Sequence, residues 1–372
     1  MRKQTREFMI INGQFAVIRV KEKAQSSNAQ TMNHVVIMAG GIGSRFWPIS
    51  TPEKPKQFID VLGCGRTLVQ LTVDRFKGIC HDEDFWVVTN EKYVDIVKEQ
   101  LPSIPASHIL AEPAMRNTAP CIAWACWSIY KEDSEANIVV TPADAVVMNP
   151  VEFQRVVRET LAFTAERNAI VTLGIKPNRP ETGYGYVQAS EVEEGEIRKV
   201  TAFKEKPDLE TAETYLSAGH FLWNAGIFVW NVKTVVQSIR KYKPQLAHNM
   251  DRIMQTSDVQ TIFPTCEKVS IDYAVMEPAA TEGIVYTYPS DFGWSDLGNW
   301  QSLHEKLQKD EENNAVVGKV KLYECRNCVV HAEDANSVVL QGLEDYIISE
   351  KDGRLLVCKR SEEQRIKDFS QL

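Results

Sequence analysis

The run His34-Val35-Val36-Ile37-Met38-Ala39, closed by Gly40-Gly41, restricts the possible folds more than any other stretch of the chain. Six residues without apolar–polar alternation suit a strand covered on both faces, as inside a parallel sheet. Comparable runs recur at Phe85–Val88, Ile138–Thr141 and Ile170–Leu173, with helix-like stretches between them at Leu68–Phe76, Tyr93–Gln100, Ala119–Tyr130 and Glu152–Arg167. Short buried strands alternating with helices predict an α/β fold with a doubly wound sheet. Ligands of such sheets bind beyond the carboxyl ends of the strands.

The texture changes from about Val316, where short alternating runs and turn signals at Asp334–Asn336 and Lys351–Gly353 predict a small C-terminal β domain over 316–372. The main domain then covers 32–305. Residues 1–31 mix basic and polar side chains ahead of the first strong strand, and read as a disordered extension. A net charge of −8 argues against nonspecific nucleic-acid binding, which needs a basic surface. No apolar run approaches the roughly 20 residues that span a bilayer, so no membrane association is expected. The N-terminus lacks the basic-then-apolar order of a secretory signal. Eight cysteines scattered along a long chain read as reduced thiols, which places the protein in the cytoplasm.

Three segments fall where the fold would put ligands. Gly40-Gly41-Ile42-Gly43-Ser44-Arg45 follows the first strand, and Lys54-Pro55-Lys56-Gln57-Phe58 comes ten residues later. Glycines there let backbone N–H groups approach phosphate oxygens, and Arg45 and Lys56 add fixed charge. The segment is not a Walker loop, because no Gly-Lys-Ser/Thr closes it. Arg45 stands where the third glycine of the dinucleotide fingerprint belongs, which argues against a nicotinamide oxidoreductase. In Glu112-Pro113-Ala114-Met115-Arg116-Asn117-Thr118-Ala119-Pro120, Thr118 reads as an N-cap with Pro120 in the first turn. Asp144 closes a strand in Thr141-Pro142-Ala143-Asp144, where a carboxylate can hold a hard cation or simply cap a turn.

Taken together, GGIGSRFWP, KPKQF and EPAMRNTAP resemble the signatures of the sugar nucleotidyltransferases, in the form typical of mannose-1-phosphate guanylyltransferases. The resemblance runs from about Asn33 to Asp368. It implies a Rossmann-like nucleotidyltransferase domain with a mixed central sheet, plus the small C-terminal β domain. It further implies GTP and mannose 1-phosphate as substrates, and Mg²⁺ held by Asp144 and by Asp296 of FGWSDLGNW. By resemblance Gly40, Gly41, Gly43, Glu112, Arg116 and Asn117 bind the nucleotide, with Arg45 and Lys56 at the triphosphate. Gly183, Tyr184 and Gly185 of TGYGY, Glu205 and Lys206 of FKEKP, and Asn224 of WNAGIF take the sugar phosphate, Lys206 pairing with its phosphate. SIDYAVME (270–277) reads as a helix packed on the sheet, with Asp272 near the site.

The family usually reads Pro-Ala-Asp-His where this chain has Ala145 after Asp144. The histidine is not one of the acidic ligands, so the metal is expected to remain, with altered local hydrogen bonding. Long relatives continue into a phosphomannose isomerase domain, and this chain is expected to be the monofunctional form. Cys325-x-x-Cys328 has only His331 and Cys358 as candidates for the two further ligands of a structural zinc, and reads as β filling before zinc. Edges of the β domain could serve a homodimer. The alternatives are the same chemistry with another base or sugar, and a nucleotide-sugar-binding relative weakened in catalysis.

Overall fold

The computed structural model describes residues 5–11, 14–20, 32–41, 46–333 and 337–370. Thr5–Ile11 (β1) and Gln14–Val20 (β2) pair as an antiparallel ribbon, a different outcome from the disorder expected of residues 1–31. Two apolar-rich runs flanking an Asn-Gly pair are a hairpin signal that the basic composition of the segment obscures.

The central sheet is built from Asn33–Met38 (β3), Phe85–Asn90 (β4), Ile109–Glu112 (β5), Asn137–Pro142 (β6), Ile170–Ile175 (β7), Tyr186–Glu194 (β8), Ile197–Lys204 (β9), Phe221–Asn231 (β10) and Val285–Ser290 (β11). Its order is β5-β4-β3-β6-β10-β7-β11-β9-β8. Strands β5, β4, β3 and β6 are mutually parallel, and β11 is parallel to β7. β10 runs antiparallel between β6 and β7, so the sheet is mixed. The register of β10 with β7 shifts between Asn224 and Phe228, next to the positive φ of Gly226.

Helices cover both faces, as the continuous apolar strands require. Leu68–Arg75 (α1), Val94–Gln100 (α2) and Pro150–Ala165 (α4) pack Val69, Val97 and Phe153 on one side. Thr118–Glu132 (α3), Val232–Tyr242 (α6) and Pro244–Thr256 (α7) pack Ile122, Val235 and Met250 on the other; Leu209–Ala218 (α5) lies near β10. Burying such side chains stabilises the fold by about 1.5–3 kcal/mol each.

The C-terminal strands are Ala315–Gly318 (β12), Val320–Tyr323 (β13), Val329–Ala332 (β14), Val338–Gln341 (β15), Tyr346–Lys351 (β16) and Arg354–Lys359 (β17). β12, β14 and β16 stack in parallel, and so do β13 and β15. The domain is therefore a small parallel coil, closed by the antiparallel β16–β17 hairpin, whose Asp352 and Gly353 take positive φ at the expected turn. The turn expected at Asp334–Asn336 lies outside the described residues. Val329, Ile347 and Leu356 of the coil share one core with Phe46, Val61, Leu68 and Trp300 of the main domain.

Candidate active site

The carboxyl ends of β3, β4, β5 and β6 form the first half of a cleft. After β3 the Ala39 N–H is held by the Val88 carbonyl at 2.8 Å, and Gly40 and Gly41 follow in open backbone. The buried Gln57 amide donates to the carbonyls of Ala39 (3.0 Å) and Gly41 (2.8 Å), so the KPKQF segment fixes where the glycine loop begins. Gly43 and Arg45 of that loop lie outside the described residues.

Glu112 ends β5, is buried, and faces the loop: a Cβ on Gly40 would sit 3.2 Å from its Oε2. Its Oε1 has no hydrogen-bond partner among the described residues. Burial pushes the carboxyl up to about 8. Arg116, in the loop that follows, has a buried and unpartnered Nε. Asn117 is exposed at φ 67, and its Oδ1 accepts from Thr118 N at 2.8 Å. The helix cap is thus Asn117, where the sequence suggested Thr118. Thr118 is the first helical residue, and its hydroxyl accepts from Ile271 N at 2.9 Å. With ψ at −174 this cap sits in a region that residues other than glycine rarely adopt, and it is invisible to a pattern that expects ordinary extended backbone at that position.

Asp144 and Asp296 come from loops joined side by side. Val146 and Ser295 exchange backbone hydrogen bonds of 2.7 and 3.0 Å. Both aspartates line one open cavity of roughly 720 Å³. Lys56 ties them together: its Nζ lies 3.0 Å from Asp144 Oδ2 and donates to the carbonyls of Asp296 (2.8 Å) and Leu297 (3.0 Å). The sequence reading places Lys56 at the triphosphate; the structure adds these protein contacts. An ammonium has three protons, all three are engaged with protein, and the side chain is only 10% exposed. Asp296 Oδ1 accepts from the Tyr184 hydroxyl at 2.6 Å and from Gly298 N at 3.1 Å. Burial, with Asp296 beside it, pushes the Tyr184 hydroxyl well up, so it remains the donor. Its ring is wedged edge-on against Trp223 and Trp294.

The sugar-side segments line the same cavity. Gly185 leaves room for Glu205, whose Oε2 would lie 2.7 Å from a Cβ at that position. Lys206 Nζ contacts Glu205 Oε1 at 2.5 Å and is itself 60% exposed. Gly183 lies at the cavity wall. Asn224 Oδ1 accepts from Thr172 Oγ1 (2.6 Å) and Gly226 N (3.1 Å), which turns its Nδ2 toward Asp272 Oδ1 at 3.1 Å. Burial, with the Glu205 charge nearby, raises the Asp272 carboxyl above its ordinary range.

Gln57 and Trp294 are residues that the sequence reading did not place in the site, whereas Asp272, expected near it, lines the cavity. Asp272 begins a π-helical turn, Asp272–Met276, before the helix Glu277–Thr281, while Ala274, Val275 and Met276 pack inward as expected. A polar residue at the head of an apolar helix was the available signal, but it fits a helix start equally well. Cys325 and Cys328 are buried, and each thiol donates to backbone carbonyls. Among the described residues no helix is long and apolar enough to cross a membrane.

The likeness to known proteins agrees with this geometry. A family model described as nucleotidyl transferase matches residues 34–313. The mannose-1-phosphate guanylyltransferase of Escherichia coli (strain K12) is 36% identical over 355 residues, covering 91% of this chain and 73% of that protein. The mannose-1-phosphate guanylyltransferase ManC of Salmonella typhimurium is 34% identical over 354 residues, covering 91% and 72%. A crystal structure from Thermus thermophilus, described as a mannose-1-phosphate geranyltransferase, superposes with a TM-score of 0.84 at 27% identity, covering 91% of this chain and 98% of that one. On this match and these relatives, the chain belongs to the nucleotidyl transferase family and falls within its mannose-1-phosphate guanylyltransferase branch.

Proposed function

We propose that the chain transfers GMP from GTP to mannose 1-phosphate, releasing pyrophosphate and forming GDP-mannose. The observation that carries this reading is the convergence of Asp144 and Asp296 on one cavity that Tyr184, Glu205, Asn224 and Asp272 also line. Glu112 suits guanine: a buried carboxylate with an unmet acceptor can take the adjacent N–H donors of that base. Arg116 and Asn117 flank it. On the other side Glu205, Asn224 and Asp272 offer acceptors and donors for sugar hydroxyls. Lys206, the exposed cation of that group, meets the sugar phosphate.

A sugar phosphate is already largely dianionic near neutrality, since its second pKa is about 6. Its oxygen attacks the α-phosphorus of GTP, the bond from that phosphorus to the β-bridging oxygen breaks, and pyrophosphate leaves with the electron pair. No general base is required. The task of the protein is to hold two anions in line and offset their repulsion. The donor set fits Mg²⁺: Asp144 and Asp296, two hard carboxylates facing one cavity, would hold the ion. Bound there, the ion supplies charge neutralisation at the phosphates. Lys56 keeps the two acidic loops in register, and Tyr184 orients the Asp296 carboxylate while closing the sugar end. Arg45, on the loop itself, completes the positive side. The eight free thiols support a reducing, cytoplasmic setting for this reaction.

Pyrophosphate release measured over five nucleoside triphosphates and a set of sugar 1-phosphates tests the reading. GTP with mannose 1-phosphate should exceed every other pair. Equal turnover with UTP or glucose 1-phosphate would overturn the specificity, and no turnover with any pair would overturn the activity.

A further inference from the structure

Arg75, at the end of α1, is a buried guanidinium without a carboxylate hydrogen-bonded to it. The residue is 4% exposed. Its Nη2 donates to the Ala145 carbonyl at 3.1 Å and to the Thr72 hydroxyl. Thr72 Oγ1 in turn reaches the Ala143 carbonyl at 3.3 Å. The Nε and Nη1 of Arg75 have no hydrogen-bond partner among the described residues. The Phe153 ring lies 5.7 Å away on one side. Burial lowers the guanidinium to about 10, so it remains charged near neutrality, and Asp144 is the acid whose charge acts on it.

Burying a cation without an ion pair is costly, and packing alone would be served as well by a methionine. What the arrangement achieves is specific. The carbonyl after Asp144, that of Ala145, is held from behind by Arg75, while the carbonyl before it, that of Ala143, lies 3.3 Å from the Thr72 hydroxyl, whose single proton is shared with the Leu68 carbonyl at 2.9 Å. On the front, Ala143 N is held by the Met38 carbonyl at 3.0 Å, and Val146 is paired with Ser295. The Asp144 side chain, 36% exposed, is then free to point only into the cleft, toward Lys56.

We infer that Arg75 is a positioning residue, which fixes the Ala143–Ala145 backbone so that the Asp144 carboxylate is presented to the divalent cation. This rests on the reading of Asp144 as a metal ligand. The charge of Arg75, 70 residues distant in sequence from the carbonyl it holds, also offsets part of the negative charge gathered at the two aspartates.

Two readouts test it on the full-length chain. The first is amide hydrogen exchange of the peptide spanning 141–148. Arg75→Met should speed exchange there by tenfold or more, and leave peptides from β10 unchanged. The second is Mn²⁺ affinity in the presence of GTP, measured by water proton relaxation. Arg75→Met should weaken it about tenfold, Arg75→Lys less, with the KM for mannose 1-phosphate within twofold of wild type. Wild-type exchange and Mn²⁺ affinity in a folded Arg75→Met would overturn the inference, as would uniform acceleration over the whole chain. Should Arg75→Met not fold, Thr72→Val, which removes the hydroxyl that accepts from Arg75 and contacts the Ala143 and Leu68 carbonyls, must show the same local acceleration or the inference falls. Asp144→Asn is the control for the underlying reading. If it leaves Mn²⁺ affinity intact, the metal assignment is wrong, and the exchange measurement still decides the role of Arg75.

Discussion

The two halves of the cleft solve the problem of polar groups differently. On the nucleotide side, around β5 and the start of α3, Glu112 Oε1 and Arg116 Nε are buried without partners among the described residues. On the sugar side, the indole N–H groups of Trp223 and Trp294 also lack partners among the described residues, but the carboxylates and the Asn224 amide are met by other side chains. Thr172 and Gly226 fix Asn224, Asn224 reaches Asp272, Tyr184 holds Asp296, and Glu205 meets Lys206. Unsatisfied buried groups cost stability until a ligand meets them, so base recognition is coupled to the release of that cost. A prebuilt network instead selects by shape and orientation, with little ordering left to occur on binding. Nucleotide binding should therefore perturb the protein more than sugar-phosphate binding does.

The largest effect expected lies where the halves meet. Asp144→Asn or Asp296→Asn should each lower kcat by about 10²–10³-fold, the scale of losing a main electrostatic contribution at the transferred phosphorus. Saturating Mg²⁺ should not restore it in steady-state assays. Retained turnover would break the comparison at its centre.

Next, Lys206→Ala should raise the KM for mannose 1-phosphate by about 10–100-fold, as expected for a charge-assisted contact to phosphate worth about 1.5–3 kcal/mol. GTP affinity, read by calorimetry, should move less than twofold. Equal losses on both substrates would mean that the halves are not separable.

Glu112 gives a pH signature. Its carboxyl, lifted by burial to about 8 from an ordinary 4.5, is largely protonated at pH 7 in the free chain. Accepting the N–H donors of guanine requires the ionised form, so GTP affinity should rise as pH goes from 6 to 8 and level off above. The same raised carboxyl weakens the folded state progressively as pH climbs from about 4.5 to 8, because ionisation is easier in the unfolded chain. Glu112→Gln should flatten the affinity profile and cost about tenfold at pH 8, the scale of one hydrogen bond to a charged group. An unchanged profile removes Glu112 from base recognition.

The smallest effect is Tyr184→Phe. Losing one hydrogen bond to Asp296 should reduce kcat by about three- to tenfold, at about 1 kcal/mol, with the fold intact by circular dichroism. A change in sugar KM alone would place Tyr184 wholly on the sugar side.

Much of this was readable in the chain because strands buried on both faces declare themselves. β3, β4, β6 and β7 lie where uninterrupted apolar runs predict them, and each intervening helix begins within two residues of its expected start. The motif segments were legible as loops at strand ends. Other features depend on contacts between residues far apart in sequence. Nothing local says that β10 inserts antiparallel between β6 and β7, or that the short C-terminal strands stack in parallel, since alternation sets a strand's faces and not its direction. Lys56 reads as a phosphate cation because its two carbonyl partners are 240 and 241 residues away. Asp272 looks like a helix start until burial beside Glu205 distinguishes it.

The common core of the coil and the main domain carries a consequence of its own. Phe46 and Ile49 stand just past the glycine loop, Val61 precedes α1 and Leu68 opens it; all four pack into the cluster that holds Val329, Ile347 and Leu356. Removing the coil would strip one wall from the very hinge on which the phosphate loop and the α1 helix are mounted. The appendage is a buttress for the segments on either side of Lys56, the residue that ties the Asp144 and Asp296 loops together.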